Sequence, residues 1–121
     1  MSPIRIAVEG RVATLTLDRP DKRNAVSDAL MGELGAFFAA PSEGVRVAIL
    51  HGAGGHFCAG LDLAEHVERS PEAAIHHSRG WHRILDTVQF GGLPVVSALH
   101  GAVIGGGLEI AAATHVRVAE P

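Results

Sequence analysis

Short apolar runs separated by turn residues mark the start of the chain. Residues 4–8 and 12–17 have the composition and alternation of strands, and residues 9–11 between them are typical of a hairpin turn. In the second run, Ala13, Leu15 and Leu17 fall on one face and the threonines on the other. This pattern predicts two strands joined by a tight turn.

The apolar spacing then changes to a helical period. Leu30, Leu34 and Phe37 recur at about 3.6 residues, and Ser27 before them is a suitable N-cap, so we predict a helix over residues 27–39. A second helix is predicted from Pro71 to about Val88, with a partial apolar stripe. The members of that stripe are Ile75, Trp81, Ile84, Leu85 and Val88.

Two further apolar runs, residues 45–50 and 95–99, are short and almost free of charge, which predicts buried strands. One or two helical turns over residues 62–68, a helix over 108–113 and a strand from 116 complete the pattern. This order of elements predicts an α/β or α+β arrangement in which most strands are parallel and buried.

A glycine-rich turn follows each buried strand: residues 55–63 form the first glycine turn and residues 100–109 the second. Each is predicted to join a strand to the start of a helix, which leaves backbone N–H groups free to bind an anion. Two such groups that converge on one oxygen form an oxyanion hole. A tight strand–helix connection with only a packing role is the alternative.

An acidic residue follows the second glycine turn at a useful distance. Glu109 lies in the first turn of the predicted helix, three residues after Gly106. It is therefore placed to act as a base toward a compound whose carbonyl oxygen accepts from the Gly106 N–H. The alternative is structural, because a carboxylate in the first turn is stabilised by the helix dipole.

Composition and charge argue against several classes of protein. The 121 residues allow one domain at most, or part of a larger one, and a net charge of −3 without basic runs argues against nucleic acid. No apolar stretch approaches the length of a membrane span, and the start lacks a signal peptide. The single cysteine, Cys58, fits a cytoplasmic location and is more typical of a small buried residue than of a nucleophile.

Other chemistries lack their sequence patterns. Eight histidines are present, but none has the spacing of a zinc site, so no metal site is predicted. No serine lies in a G-x-S-x-G elbow, which argues against a serine hydrolase.

Taken in order, these segments resemble the crotonase family, the enoyl-CoA hydratase/isomerase superfamily. The resemblance extends through most of the chain and is most specific in the two glycine turns. The segments that carry it are residues 12–20, 22–25, 45–52, 56–63, 94–98 and 101–109.

The resemblance implies a crotonase-like spiral of ββα units that is truncated after the second glycine turn and its helix, so that residues 1–121 are the N-terminal portion of the core domain. It implies acyl-CoA binding and enolate stabilisation, with hydration of a 2-enoyl-CoA as the reaction. The implied catalytic residues are Leu61, Gly106 and Glu109. The implied substrate-binding residues are Arg23, Ala25, Ala59, Leu61, Asp62, Leu63, Ala64 and Gly106.

No cofactor is implied beyond the coenzyme A of the substrate, and the family resemblance implies a homo-oligomer, a trimer or hexamer. Asp18 stands where the family usually has Asn, and His115 where many members have Asp. The second glutamate of hydratases would fall beyond Pro121.

Several alternatives remain open. The chain is the N-terminal part of a crotonase-type enzyme, an acyl-CoA-binding protein without turnover, or a structural fragment held in an oligomer. Within the enzyme class, isomerisation, dehalogenation, hydrolysis and decarboxylation use the same oxyanion hole with different acids nearby.

Overall fold

The computed structural model describes residues 2–65 and 67–121, which form one mixed sheet with three α-helices. The predicted elements all occur, in the predicted order. They are β1 (Ile4–Glu9), β2 (Val12–Leu17), α1 (Asp28–Ala39), β3 (Val47–Gly52), α2 (Pro71–Phe90), β4 (Val95–Leu99), α3 (Gly106–Ala113) and β5 (Val116–Ala119), with short 3₁₀ turns at Pro20–Lys22 and Leu63–Glu65.

The strands lie in the sheet in sequence order. β1 pairs antiparallel with β2 through the predicted hairpin, and β2, β3, β4 and β5 are parallel to their neighbours. Leu15 of β2 is paired with Leu50 of β3, which is paired in turn with Ser97 of β4. Because these strands are parallel, their carboxyl ends meet at one edge of the sheet, where the connecting loops emerge.

One face of the sheet forms the core. Ala13, Leu15 and Leu17 of β2 are fully buried, in one hydrophobic cluster with Leu30 and Leu34 of α1. On the opposite face, most alternate residues are only half-buried, among them Thr14 of β2, Ile49 of β3 and Val96 of β4. The strands predicted to be buried are thus fully buried on the core face, at Ala48, Leu50 and Val95, while their other face is partly open among the described residues.

The start of β3 also differs from the prediction. The strand begins at Val47 rather than at residue 45 and continues to Gly52. The Val45 N–H donates to the Ser42 carbonyl at 3.2 Å and the Arg46 N–H to the Arg11 carbonyl at 2.7 Å, and the pairing with β2 starts only at Val47, opposite Val12.

The helix ends follow local capping. The Ser27 hydroxyl accepts from the Leu30 N–H at 3.1 Å, which confirms the predicted N-cap of α1. The Ser70 hydroxyl caps α2 in the same way, and α2 runs two residues beyond Val88. Ile75 is 50% exposed and lies outside the core, because the first six residues of α2 project into solvent.

Two predicted helical segments have different bounds. α3 begins at Gly106 rather than at residue 108. Of the turns predicted over residues 62–68, only the 3₁₀ turn at Leu63–Glu65 forms, and His66 lies outside the described residues. No helix in the described ranges has both the length and the apolar character needed to cross a bilayer.

The alternation in β2 generates a stability prediction. Leu15→Ala should lower the free energy of unfolding by about 2–5 kcal/mol, because it leaves a cavity in the fully buried face. Thr14→Ala, at the next position on the half-open face, is the control and should change it by less than about 1 kcal/mol. Urea denaturation measures both, and equal losses would contradict the assignment of the faces.

Candidate active site

The two glycine turns lie side by side at the carboxyl edge of the sheet. Cys58 and Val103 form a parallel bridge: the Cys58 N–H donates to the Ala102 carbonyl at 3.0 Å, and the Ile104 N–H to the Cys58 carbonyl at 3.2 Å. This pairing extends the alignment of β3 and β4 beyond the end of the sheet. The turns that the sequence placed about forty residues apart are therefore direct neighbours.

A second parallel bridge places the first predicted N–H donor. The Val26 N–H donates to the Gly60 carbonyl at 2.7 Å and the Asp62 N–H to the Val26 carbonyl at 2.9 Å, so that Leu61 lies between the two bonds. In such a bridge the central N–H points away from the partner strand. Within the described residues, no hydrogen-bond acceptor meets the Leu61 N–H.

The second predicted donor lies at the start of α3. Gly106 is the first residue of that helix, so its N–H has no intrahelical acceptor, and the described part of the chain supplies no other. A Cβ built on Gly106 would lie 3.2 Å from Val26 Cγ2. Val26 thus contacts Gly106 and is bridged to Leu61, which brings both predicted donors next to the same residue.

The close approach of the turns requires glycine. A Cβ on Gly107 would overlap the Cys58 carbonyl oxygen and lie 2.7 Å from the Cys58 Cβ. Gly60 has φ +107°, a conformation that L side chains rarely adopt, and its Cβ would lie 3.0 Å from the Ile104 carbonyl oxygen. The first turn therefore requires glycine at position 60 and the second at position 107.

A buried asparagine ties the loop after β2 to the first glycine turn. Asn24 is fully buried and left-handed, with φ +56°. Its Oδ1 accepts from the Arg19 N–H at 2.7 Å, and its Nδ2 donates to the carbonyls of Ala53 and His56 at 3.0 and 2.8 Å. Asn24 lies in the segment 22–25 that resembles the family, but no local sequence pattern predicts these three hydrogen bonds.

An ion pair anchors the segment that follows Leu61. Arg19 donates to Asp62 Oδ2 at 2.8 Å and to the Ala25 carbonyl at 2.7 Å, while Asp62 Oδ1 accepts from the Ala64 N–H at 3.0 Å. The hydrogen bond from Arg19 is the main reason that the pKa of Asp62 is lowered. The Asp62 carboxylate is therefore occupied by protein groups.

The remaining predicted substrate-binding residues form an exposed rim beside these contacts. Arg23 is exposed, and its carbonyl accepts from the Ala59 N–H at 3.0 Å. Leu63, 78% exposed, and Ala64 lie in the 3₁₀ turn directly after Asp62. The structure thus brings Arg23, Ala25 and the segment from residue 59 to 64 together.

A cleft of about 230 Å³ opens beside Leu61 and is called the Leu61 cleft below. It lies between the start of α1, the loop after Leu61 and the first half of α2. Its lining residues are Val26, Ser27, Asp28, Leu61, Asp62, Glu65, Arg69, His77, Ser78 and Trp81.

Glu109 is separate from this cleft. It is exposed on α3 and lines a different groove between α2 and α3, together with His82, Asp86 and Gln89. None of the described residues that line the Leu61 cleft belongs to α3. Neither Gly106 nor Glu109 is among those lining residues, and Gly106 is associated with Leu61 through its contact with Val26.

Other candidate residues have structural partners. Cys58 is buried, its Sγ donates to the Asn24 carbonyl at 3.0 Å, and burial raises the pKa of its thiol, which disfavours the nucleophilic thiolate. Across residues 2–65 and 67–121, no group of three or more potential metal-ligating side chains is close enough to hold an ion.

The two departures from the family pattern also have local partners. Asp18 accepts from Arg5 Nε at 2.8 Å. His115 Nδ1 accepts from the Val95 N–H at 2.9 Å, and its Nε2 lies 2.8 Å from the Gln89 carbonyl. Neither side chain lines the Leu61 cleft.

Comparison with known proteins defines the class. The family described as "Enoyl-CoA hydratase/isomerase" matches residues 7–121, and the chain belongs to this family. Its crotonase-like α/β fold is confirmed by solved structures, among them a candidate enoyl-CoA hydratase from Rhodopseudomonas palustris CGA009. The two chains are 47% identical and superpose with a TM-score of 0.95, and the match covers 98% of this chain and 46% of the other.

Curated relatives support the same class. The chain is 35% identical over 123 residues to a protein named "Probable enoyl-CoA hydratase" of Bacillus subtilis (strain 168), with 98% of this chain and 47% of the relative covered. It is 32% identical over 120 residues to the (E)-benzylidenesuccinyl-CoA hydratase of Thauera aromatica, with 97% and 46% covered. The chain spans about half the length of these relatives.

The contact between the turns generates a second prediction. Gly107→Ala should destabilise the chain by about 1–3 kcal/mol, because the new methyl group overlaps the Cys58 backbone. Gly32→Ala, at an exposed helical site with open space around the Cβ, is the control and should stabilise it by about 0.5–1 kcal/mol. Thermal and urea unfolding report both, and a neutral Gly107→Ala would contradict the close approach.

The Arg19–Asp62 pair generates a pH prediction. Because the pKa of Asp62 is lowered in the fold from an ordinary value of 3.8, its stabilising contribution is present above that value and is lost as the pH falls through the folded pKa. The stability difference between the wild type and Asp62→Asn should therefore shrink between about pH 6 and about pH 3.

Urea denaturation across this pH range measures the difference. Arg19→Met should remove the same pH-dependent component, and the double variant should show no further loss of it. A pH-independent difference between the wild type and Asp62→Asn would contradict the role of the ion pair.

Proposed function

We propose that the chain binds acyl-CoA thioesters and stabilises the enolate form of the acyl group through the N–H groups of Leu61 and Gly106. The observation that carries the proposal is that these two N–H groups, whose residues both neighbour Val26, have no acceptor among the described residues. Two fixed donors of this kind suit one oxygen that becomes negative during a reaction.

The chemistry follows from where charge develops. When a proton leaves the carbon next to a thioester carbonyl, the negative charge moves to the carbonyl oxygen. Backbone donors held by the Cys58–Val103 and Val26–Leu61 bridges need little rearrangement to meet that charge. Loss of one such donor typically costs about 2.7–4 kcal/mol of transition-state stabilisation.

Hydration of a 2-enoyl-CoA is the proposed reaction of the whole protein. Relatives at about one-third identity are named as enoyl-CoA hydratases, and Glu109 offers an exposed carboxylate in the first turn of α3. Isomerisation is the second candidate, because it uses the same enolate and because the family model that matches residues 7–121 is described as "Enoyl-CoA hydratase/isomerase".

The coenzyme A portion is proposed to lie along the exposed rim. Arg23 is exposed, its backbone carbonyl is bonded to the Ala59 N–H, and phosphate oxygens favour a guanidinium donor such as its side chain carries. Leu63, Ala64 and Ala25 supply the adjoining surface for the pantetheine chain. This chemistry requires no cofactor beyond the coenzyme A of the substrate.

Self-association, as a trimer or hexamer, is also part of the proposal. Phe90, the last residue of α2, is 74% exposed. A large apolar side chain exposed in this way favours contact with another chain. A cytoplasmic location is proposed from the single cysteine.

Two substitutions at Gly106 separate the loss of its N–H donor from the steric effect of an added side chain. Proline is well tolerated at the first position of a helix but lacks the N–H, so Gly106→Pro should weaken acetoacetyl-CoA binding by about 10- to 100-fold. Gly106→Ala is the matched control, because it places the same Cβ near Val26 but keeps the donor, and its affinity should stay much closer to that of the wild type.

Isothermal titration calorimetry with acetoacetyl-CoA measures all three proteins. No detectable heat at millimolar ligand, from folded wild-type chain, would refute acyl-CoA binding. Equal losses in Gly106→Pro and Gly106→Ala would refute the donor role and leave a steric effect as the cause.

A further inference from the structure

Two histidine side chains connect the glycine turns, one from each turn. His56 lies in the first glycine turn, and its Nδ1 accepts from the Ala102 N–H of the second at 2.8 Å. His100 begins the second glycine turn, and its Nε2 lies 2.9 Å from the carbonyl oxygen of Gly54, the residue before the first. Side chains therefore join the two turns in addition to the backbone bridge between them.

The backbone of the second glycine turn leaves room for the His56 imidazole. Gly101, directly before Ala102, has φ +58°, a conformation that L side chains rarely adopt. A Cβ on Gly101 would overlap the Gly55 carbonyl oxygen and lie 2.7 Å from His56 Nδ1. A side chain at position 101 would therefore displace the imidazole from the Ala102 N–H.

The backbone on which the imidazole stands is itself fixed. The His56 carbonyl accepts from Asn24 Nδ2 at 2.8 Å, and the N–H of the next residue, Phe57, donates to the His100 carbonyl at 2.8 Å. Asn24 and Phe57 are fully buried. The main chain at position 56 is thus held by two other segments, and the ring is aimed at Ala102.

The two histidines have opposite roles in these hydrogen bonds. A backbone N–H only donates, so His56 Nδ1 accepts with its lone pair, and the proton of the neutral ring lies on Nε2. A carbonyl oxygen only accepts, so Nε2 of His100 carries a proton. Of the two bonds, only that of His56 therefore requires an acceptor on the imidazole.

The His56 bond lies close in the chain to both proposed donors. Leu61 is five residues after His56, and Gly106 is four residues after Ala102. These short segments run side by side, so loss of the His56 bond would let one turn shift against the other. A shift of about 1 Å in such a site can cost about a hundredfold in rate.

We propose that His56 is a positioning residue for the enolate oxygen: its bond to the Ala102 N–H sets the separation of the Leu61 and Gly106 donors. This inference rests on the proposed binding of acyl-CoA thioesters and stabilisation of their enolates. In this role His56 acts through the backbone of the second glycine turn, and what it supplies is a hydrogen-bond acceptor at the δ position.

Two substitutions of similar shape isolate that acceptor. Asparagine and leucine both branch at Cγ, but only asparagine offers an oxygen where His56 has Nδ1. His56→Asn should keep the bond to Ala102, whereas His56→Leu removes its acceptor. His76→Leu, at an exposed position of α2, is the matched control for the exchange of a histidine for leucine.

Acetoacetyl-CoA reports the alignment of the donors, because its enolate absorbs at a longer wavelength than its keto form. At saturating ligand, the wild type, His56→Asn and His76→Leu should show similar enolate bands. In His56→Leu the ratio of bound enolate to bound keto form should fall by about tenfold or more, since an oxyanion loses strength in its bonds when a donor is misplaced.

Nuclear magnetic resonance of ¹⁵N-labelled histidine tests the bond itself in the wild type, so it does not depend on the folding of a variant. His56 Nδ1 should have the ¹⁵N shift of an unprotonated, hydrogen-bonded nitrogen and Nε2 that of a protonated one. A neutral His56 with its proton on Nδ1 would overturn the inference.

A purely structural role predicts a different result. It would lower the urea midpoint of His56→Leu while the ligand bound to the folded variant keeps the wild-type ratio of enolate to keto form. That result would overturn the positioning role. Loss of the enolate band in His56→Asn to the same extent as in His56→Leu would also overturn it, because the acceptor would then not be the feature that matters.

The outcomes separate this inference from the proposed function. If the folded wild type does not bind acetoacetyl-CoA, the proposed function fails, and this inference fails with it. If the wild type binds the ligand with a strong enolate band and His56→Leu does the same, the proposed function survives and only the role of His56 is overturned.

Discussion

The direct contact between the Cys58 backbone and the start of α3 is the constraint on which the rest of the site depends. The parallel bridge from Cys58 to Val103 aligns the two glycine turns, and Gly107 allows this only because it has no side chain. Any Cβ there would overlap the Cys58 carbonyl and push α3 away. Gly106 would then lose its contact with Val26 and with it the position that the proposed donor role requires.

Side-chain charges around the site serve mainly to hold the loops. Arg19 is bonded to Asp62 and to the Ala25 carbonyl, and Asn24 satisfies one N–H and two carbonyls of neighbouring loops. The groups left without acceptors in the described chain are backbone N–H groups at the ends of loops. A backbone donor cannot rotate independently as a side chain does. The rigidity of the loops therefore fixes the direction of these N–H groups.

The sequence predicted the turns more accurately than the side chains around them. Leu61 and Gly106 were predicted because glycine spacing after a buried strand is a local signal, and the structure places both beside Val26. Glu109 was placed with them from its position three residues after Gly106, and its catalytic role stays a prediction. The hydrogen bond of His56 could not be predicted, because its partner Ala102 is forty-six positions away in the chain.

Periodicity and glycine positions in the sequence alone determined the order of strands and helices, the two turns and the family resemblance, because backbone conformation depends on neighbouring residues. Only the tertiary structure decided which sheet face stays half-open, that Asn24 connects three segments, and that Asp28 and His77 share a cleft with Leu61. These features depend on parallel strands that bring distant loops to one edge of the sheet. The residues that neighbour a loop in the sequence do not determine which distant loop it meets in the fold.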